Sequence, residues 1–287
     1  MELKLVAQRQ GRLSSFLRGE LKMSLGLMNR LKWGVSIQVN GQPQHTDFAV
    51  KPGDVITVRL EEPTPDYPAE QGTFTILYED DHILMVDKPA GMLIHPSRSK
   101  NTGTLANLVL GYYQKNSQQA AFHPVTRLDR DTFGIVLLAK NSHIHSLLQL
   151  TQVEKTYHAL VYGSPGEIGI IDAPIARCPL PSLLRYVGPE GKPSVTEYAL
   201  LTRFDGYAKL ALRPITGRTH QLRLHCAHMG WPILGDPQYG TAESQRFSAA
   251  FSMQSQALCA KRLEFLHPIT EQMICVESRM DVYQMVR

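Results

Sequence analysis

Three short stretches of the chain set chemically useful residue types side by side. In "RLDRDTFGIVLLAK", residues 127–140, acids alternate with arginines and then give way to a run without charge that ends at Lys140. Asp129 lies two residues after Arg127, so in an extended segment the two side chains share a face. A cation beside a partly desolvated carboxylate keeps it ionised at neutral pH. Such a carboxylate can act as a nucleophile or a base. The same residues also suit a turn acid among ordinary surface arginines. The second stretch is "TGRTHQLRLHCAHMGWPILGDPQYG", residues 216–240. Here Thr219 is expected to cap a helix whose inner stripe is Leu222, His225, Cys226 and Met229, with Gly230 as its stop. Arg218 and Arg223 flank the helix start, a good place for a phosphate or a carboxylate. His220, His225, Cys226 and His228 also raise a metal reading. No two of these histidines stand four apart, as a zinc pair on one helix face requires, and no adjacent Glu can act as base. Core or hydrogen-bonding histidines are the expectation. In the third stretch, "KTYHALVYG" (155–163), Tyr157, Ala159 and Val161 alternate onto one strand face, which Lys155 shares. A tyrosine there is either core, with its hydroxyl on a polar partner, or functional; Lys155 is either part of a site or a solvated strand end.

These residues need rigid mounts. "IVLLA" (135–139) is too short for a helix and suits a buried strand, with Asn141 or Ser142 capping the helix that follows. Thr104 is expected to cap a helix over 104–113, with Leu105, Leu108, Val109 and Tyr112 on one face. "TFTILYEDDHILMVDKPAGMLIHP" reads as strand, acidic turn, strand and a Pro-Ala-Gly turn. Strands and helices mix without a repeating rhythm, which favours an α+β class over a doubly wound sheet. Ahead of this body, Leu13, Phe16, Leu17 and Leu21 share one helical stripe, and Ser24 can cap a second helix bearing Leu27, Met28 and Leu31 that Gly34 ends. Alternating Val35, Ile37 and Val39 then meet an Asn-Gly turn, a strong hairpin signal. Residues 61–72, "EEPTPDYPAEQG", carry three prolines and four acids and read as a linker. The expected division is a small basic module at 1–60, a linker at 61–72 and one larger domain at 73–287.

The 287 residues suit that division, and 43% hydrophobic content with 20% charge is ordinary for a globular protein. No apolar run reaches the roughly 18–20 residues of a membrane-spanning helix. The N-terminus has no apolar core followed by a small-residue cleavage site, so a secretory signal is not expected. Cys178, Cys226, Cys259 and Cys275 include no C-x-x-C pair; they read as reduced and mostly buried, in a cytoplasmic protein. Net charge is +4, yet residues 1–60 hold nine Lys/Arg against four Asp/Glu. A basic head on a near-neutral body suggests a polyanion partner, the alternative being a solvated helix face.

Taken together, these stretches resemble the RluA/RluD-type pseudouridine synthases. "ILYEDDHILMVDKPAGMLIHPS", "TRLDRDTFGIVLLAK", "KTYHALVYG" and "TGRTHQLRLHCAHMGWPILGDPQYG" resemble four ordered blocks of that family, spread over most of residues 74–275. Residues 12–60 are similar to the small RNA-binding module of ribosomal-protein type often fused to these enzymes. The resemblance implies a mixed, largely antiparallel bent sheet flanked by helices, with a small N-terminal α/β RNA-binding module. It implies Asp129 as the catalytic aspartate. Tyr157 would stack on the uracil and take its carbon 5 proton, and Arg223 would pair with the acid. Arg127 would displace or hold the target nucleotide, and Arg218, Thr219, His220, Gln221 and Leu222 would line its binding site. The isomerisation involves no net redox change or hydrolysis, so no cofactor or metal is expected. The implied partner is RNA, ribosomal or transfer, and action as a monomer is expected.

Three positions depart from the family pattern: Thr126 where relatives often have His, Phe133 in place of the usual Ser, and Cys259 where His is common. They leave room for a non-catalytic RNA-binding protein with a degenerate synthase domain. A metal-dependent RNA hydrolase built on the histidines around 220–228 is a third reading.

Overall fold

The computed structural model describes residues 2–97, 100–179, 181–182 and 184–286. Its N-terminal part has its own core. Strands Glu2–Val6, Val55–Arg59, Ile37–Val39 and Gln42–Pro43 form a four-stranded sheet in that order. Helices Leu13–Gly19 and Leu25–Leu31 bury Leu13, Phe16, Leu17, Leu27, Met28 and Leu31 in one cluster with Ile37, Val39, Ile56 and Val58. Ser24 caps the second helix through the amide of Leu27. The Asn-Gly hairpin forms with both residues at positive φ, as a two-residue turn matched to strand twist demands. Leu21 falls after the first helix and only packs against the cluster from its edge, while Val35 precedes the strand and is exposed.

The larger part is α+β. Its main sheet has eight strands in the order Ile168–Asp172, Val195–Arg203, Tyr207–Pro214, Glu154–Tyr162, Leu258–Leu266, Phe133–Ala139, Ile83–Lys88 and Thr75–Glu79, with Met273–Glu277 and His123–Pro124 as side branches. The pairings are antiparallel except for a short parallel join of Phe133–Gly134 to Cys259–Ala260. Gly134 makes that join possible. It sits at φ +105, and a Cβ there would come within 2.7 Å of the Ala260 nitrogen, a close approach open only to glycine.

The uncharged run before Lys140 has a physical cause. Ile135, Leu137, Ile83 and Met85 pack with helix Ser142–Leu150. Val136, Leu138, Leu84 and Val86 pack with helix Leu105–Lys115. Both faces of the strand pair are covered, so the usual polar alternation disappears. Thr104 and Asn141 cap these two helices. On the first, however, Leu108 and Tyr112 are only half-buried, whereas Ala106, Leu110 and Tyr113 are buried. The reason is that this helix is also covered by residues 61–72. Those residues have no regular secondary structure but lie against the body. Glu70 donates its amide to the Asn107 carbonyl, Asn107 donates its side-chain amide to the Pro68 carbonyl, and a Cβ on Gly111 would collide with the Glu70 carbonyl.

The three departures occupy structural places. The buried Thr126 hydroxyl accepts the amide of Leu137 at 2.9 Å. Phe133 and Cys259 are register partners across the parallel join and share one core cluster, so those two changes amount to a single change of packing. Of the cysteines, Cys226 and Cys259 are buried but Cys178 is half-buried and Cys275 exposed; all four are free thiols. Burial of most of them is therefore not found, because Cys275 alternates outward on a side strand.

Candidate active site

Asp129 lies in the loop between His123–Pro124 and Phe133–Ala139, and this loop is anchored along its length. The Thr132 amide closes a turn on the Asp129 carbonyl, and the Thr132 hydroxyl accepts the side-chain amide of Gln256 at 3.1 Å. From beneath, the fully buried Lys88 ammonium donates to the carbonyls of Pro89, Met92 and Arg130 at 2.8–2.9 Å. Burial lowers the Lys88 pKa to about 8, against the pull of Asp131 and Asp129. A lysine that satisfies three carbonyls next to Asp129 fixes the loop by hydrogen bonding rather than by a direct ion pair.

The cation on Asp129 is not its neighbour in sequence. Arg223 Nη1 donates to Asp129 Oδ2 at 3.1 Å, while Arg127 is exposed and Arg130 forks onto Asp131 at 2.9–3.0 Å. The 127–129 spacing failed as a pairing signal because this segment is a loop outside the sheet, where two-residue alternation does not hold. Arg223 is itself clamped. Asp236 takes its Nε at 2.7 Å and its Nη2 at 2.8 Å, and Gln238 accepts a third bond from Nη2. Burial opposes the guanidinium charge, yet Asp236 and then Asp129 hold its pKa above the ordinary value. Asp236 is nearly inaccessible and accepts the amides of Gln238 and Tyr239 as well. The arginine is thus a fixed fork with one arm left for Asp129.

Helix Gln221–His228 carries that arginine in its first turn, and it begins differently from expectation. Its N-cap is His220 in the left-handed conformation, φ 58 and ψ 18, with no side-chain cap; Thr219 is exposed. Gln221 organises the turn instead. Its carbonyl oxygen accepts the Arg218 amide and the Thr216 hydroxyl, and its side-chain NH2 donates to the Val195 carbonyl and the Thr196 hydroxyl. Both donors and both acceptor positions of Gln221 are therefore occupied within the protein. Leu222, His225 and Cys226 face inward, but Met229 is 43% exposed because the helix ends at His228 and the chain turns outward. His225 is fully buried, with one ring nitrogen on Thr196 and the other on the Ala173 carbonyl. It is a hydrogen-bonding core histidine, and among the described residues no cluster of His, Cys, Asp and Glu is placed to hold a metal.

Tyr157 reaches the same cleft from strand Glu154–Tyr162. A register shift between Thr156 and Tyr157 leaves Lys261 as the extra residue on the partner strand and interrupts the pairing with Leu258–Leu266 there. Burial first, and the charge of Asp129 second, push its phenol pKa up, so it stays protonated. The cleft encloses about 630 Å3 and is walled by Arg127, Asp129, Lys155, Tyr157, Arg218, Thr219, His220, Gln221, Leu222 and Arg223 among others. All the residues expected at the site therefore converge. Three arginines and Lys155, whose pKa burial lowers, stand around one carboxylate, a basic wall suited to a polyanion. About 30% of the Asp129 side chain is open to this space. A larger cavity, about 1300 Å3, lies between Arg18–Leu25 and strand ends on the opposite face of the sheet, and holds none of these groups.

Lys88, Asp236, Gln238 and Tyr239 were not singled out from the sequence. Lys88 reads as part of a Pro-Ala-Gly turn, and Asp236 as a turn acid between Gly235 and Pro237. The only available signal was their lying inside the two quoted blocks.

Comparison with known proteins bears on the family of the chain. A family model described as RNA pseudouridylate synthase matches residues 82–228, which include Asp129, Tyr157 and Arg223. The chain is similar to the uncharacterized RNA pseudouridine synthase YjbO of Bacillus subtilis, 36% identical over 262 residues, covering 88% of this chain and 90% of that one. It is similar to the ribosomal large subunit pseudouridine synthase C of Vibrio cholerae, 31% identical over 290 residues, covering 95% and 90%. Among solved structures, human RNA pseudouridylate synthase domain containing 1 aligns with a TM-score of 0.60 at 25% identity, over 74% of this chain and 86% of that one.

Proposed function

The chain belongs to the RluA-type family of RNA pseudouridine synthases, isomerases that act on RNA, and on that premise we propose that it converts particular uridines of structured RNA through the Asp129 carboxylate, acting on a nucleotide flipped out of the stack. The observation that carries this reading is the convergence of Asp129, Arg223 and Tyr157 in one cleft, from a loop, a helix and a strand. The reaction breaks the bond between nitrogen 1 and the ribose, turns the ring and rejoins the ribose to carbon 5. One proton moves from carbon 5 to nitrogen 1 overall. A carboxylate must therefore act at the sugar, either on carbon 1 or on the proton of carbon 2. Arg223 holds Asp129 in place, and its own charge is secured by Asp236.

Tyr157 serves as a neutral aromatic wall for the freed uracil. Because its phenol is held protonated, it takes the carbon 5 proton only in exchange for its own, which goes to the ring nitrogen freed from the ribose, so that one proton passes from carbon 5 to nitrogen 1. Arg127, exposed at the mouth, is placed to fill the gap left by the flipped base or to hold a phosphate. Arg218 and Thr219 border the same mouth, while Gln221 acts by building the loop.

The Vibrio cholerae relative is named for the large ribosomal subunit. Ribosomal RNA is accordingly the first substrate to test, and transfer RNA the second. Pseudouridines are mapped in total RNA from cells with the protein, without it and with Asp129→Asn. The expected result is a site lost in the second and third and restored by the wild type. Wild-type turnover by purified Asp129→Asn removes the assignment.

A further inference from the structure

One more side chain in the cleft has both ring nitrogens turned towards functional atoms. Resting on the assignment of Asp129, we propose that His220 is a positioning residue that offers a neutral Nε2–H donor to the Asp129 carboxylate, and that acid turns the site off by making that donor a cation.

The contacts set out the arrangement. His220 Nδ1 lies 2.7 Å from the Tyr239 hydroxyl, and its Nε2 lies 3.8 Å from Asp129 Oδ2. The tyrosine favours one tautomer. Its oxygen already accepts the backbone amide of Arg185 at 3.2 Å, and burial keeps the phenol protonated. Its own hydrogen is then the one to share with Nδ1, which makes Nδ1 an acceptor and leaves the imidazole hydrogen on Nε2, facing Asp129. The Tyr239 ring also lies 4.9 Å from the Arg223 guanidinium, so one aromatic side chain supports both groups that address the carboxylate. Both approach Oδ2, which leaves Oδ1 for the sugar.

At 3.8 Å the donor is poised rather than bonded; such contacts tighten when substrate orders the site. The backbone accepts a cost to hold it there, since a left-handed histidine is uncommon outside turns. The charged groups facing His220 are Asp129 and Asp236, which favour its protonation, and Arg223 and Arg185, which oppose it; the phenol of Tyr239 is neutral. Burial is the largest influence and the net direction is down. The ring is therefore neutral at neutral pH and gains its proton only in acid. That proton sits beside Asp129 and weakens it as nucleophile or base.

The test measures kcat and KM against pH for the full chain on an RNA carrying the mapped uridine. His220→Gln supplies a neutral donor that does not titrate. It is expected to lose less kcat at neutral pH than His220→Gly does and to move the acid limb to lower pH. His220→Gly tolerates the left-handed backbone but removes the donor; its kcat should fall roughly ten- to a hundredfold, the worth of a hydrogen bond to a charged group, with KM unchanged. Tyr239→Phe, which keeps the ring under Arg223 but removes the hydroxyl bonded to His220, should lower kcat. A wild-type acid limb in His220→Gln overturns the proposal, as does wild-type kcat in His220→Gly. If His220→Gly does not fold, the His220→Gln profile decides alone. Asp129→Asn is run in parallel: if it remains active the Asp129 reading fails, and if it is inactive while the His220 variants behave as wild type, only the present proposal fails.

Discussion

Arg223 Nη1 and Asp129 Oδ2 lie 3.1 Å apart although 94 residues separate them in the chain. The same guanidinium gives two bonds to Asp236 thirteen residues on. One buried cation thus joins the loop of the acid, the first turn of the helix and the turn that follows it.

This sharing makes Arg223 a structural as well as a functional residue. Arg223→Met leaves Asp236 buried without its partner, and loss of one side of a buried pair costs about 3–5 kcal/mol. We expect a lower Tm together with lost activity. Arg223→Met combined with Asp236→Leu should recover much of the Tm and none of the turnover. Thermal unfolding beside a pseudouridine assay separates the two effects.

Lys88 should act through the Asp129 loop. Lys88→Met removes the donor for the carbonyls of Pro89, Met92 and Arg130, so kcat should fall while KM for RNA changes little. The pH dependence carries a sign. The folded pKa, about 8, lies below that of the unfolded chain. Between the two values the unfolded state binds the extra proton, so this lysine's contribution to stability rises with pH. The stability of wild type relative to Lys88→Met is expected to increase from about pH 8 to 10, by on the order of 3 kcal/mol at most. Denaturant titrations across that range read it; a flat difference contradicts the assignment.

Glu62 should tie the linker to the body. It accepts the Ser142 amide at 2.7 Å and meets His123 Nε2 at 3.0 Å. Burial raises its pKa, but the bonds to His123 and Ser142 outweigh this and bring it to about 2. A folded pKa below the unfolded one means that the stabilisation is complete above the unfolded value and is lost as pH falls through the folded one. Glu62→Gln should therefore be less stable than wild type at neutral pH, with the gap closing below about pH 4. Faster proteolytic cutting within residues 61–72 at neutral pH is the companion measurement.

The basic N-terminal part should contribute affinity through phosphate contacts. Deleting residues 1–60, which leaves Glu62 in place, is expected to weaken RNA binding and flatten its dependence on salt. Equal slopes of log Kd against log salt for both chains would show that these residues make no phosphate contacts.

The sequence by itself determined the strand ahead of Lys140, the caps at Ser24 and Thr104, a cap at Asn141 or Ser142, the Asn-Gly hairpin and the α+β class. Each depends on a few adjacent residues, and local patterns survive folding. It also contained the residues that meet in the cleft, though spacing alone left Asp129 open between a turn acid and a reactive one. Tertiary structure decided the partners. Arg223 rather than Arg127 holds Asp129, Lys88 fixes the loop from below, and Tyr239 links His220 to Arg223. Those contacts join loops, a helix and a strand that are far apart in the chain. Their geometry follows from the order in which the strands pair and from where glycine lets them approach, and no local periodicity encodes that.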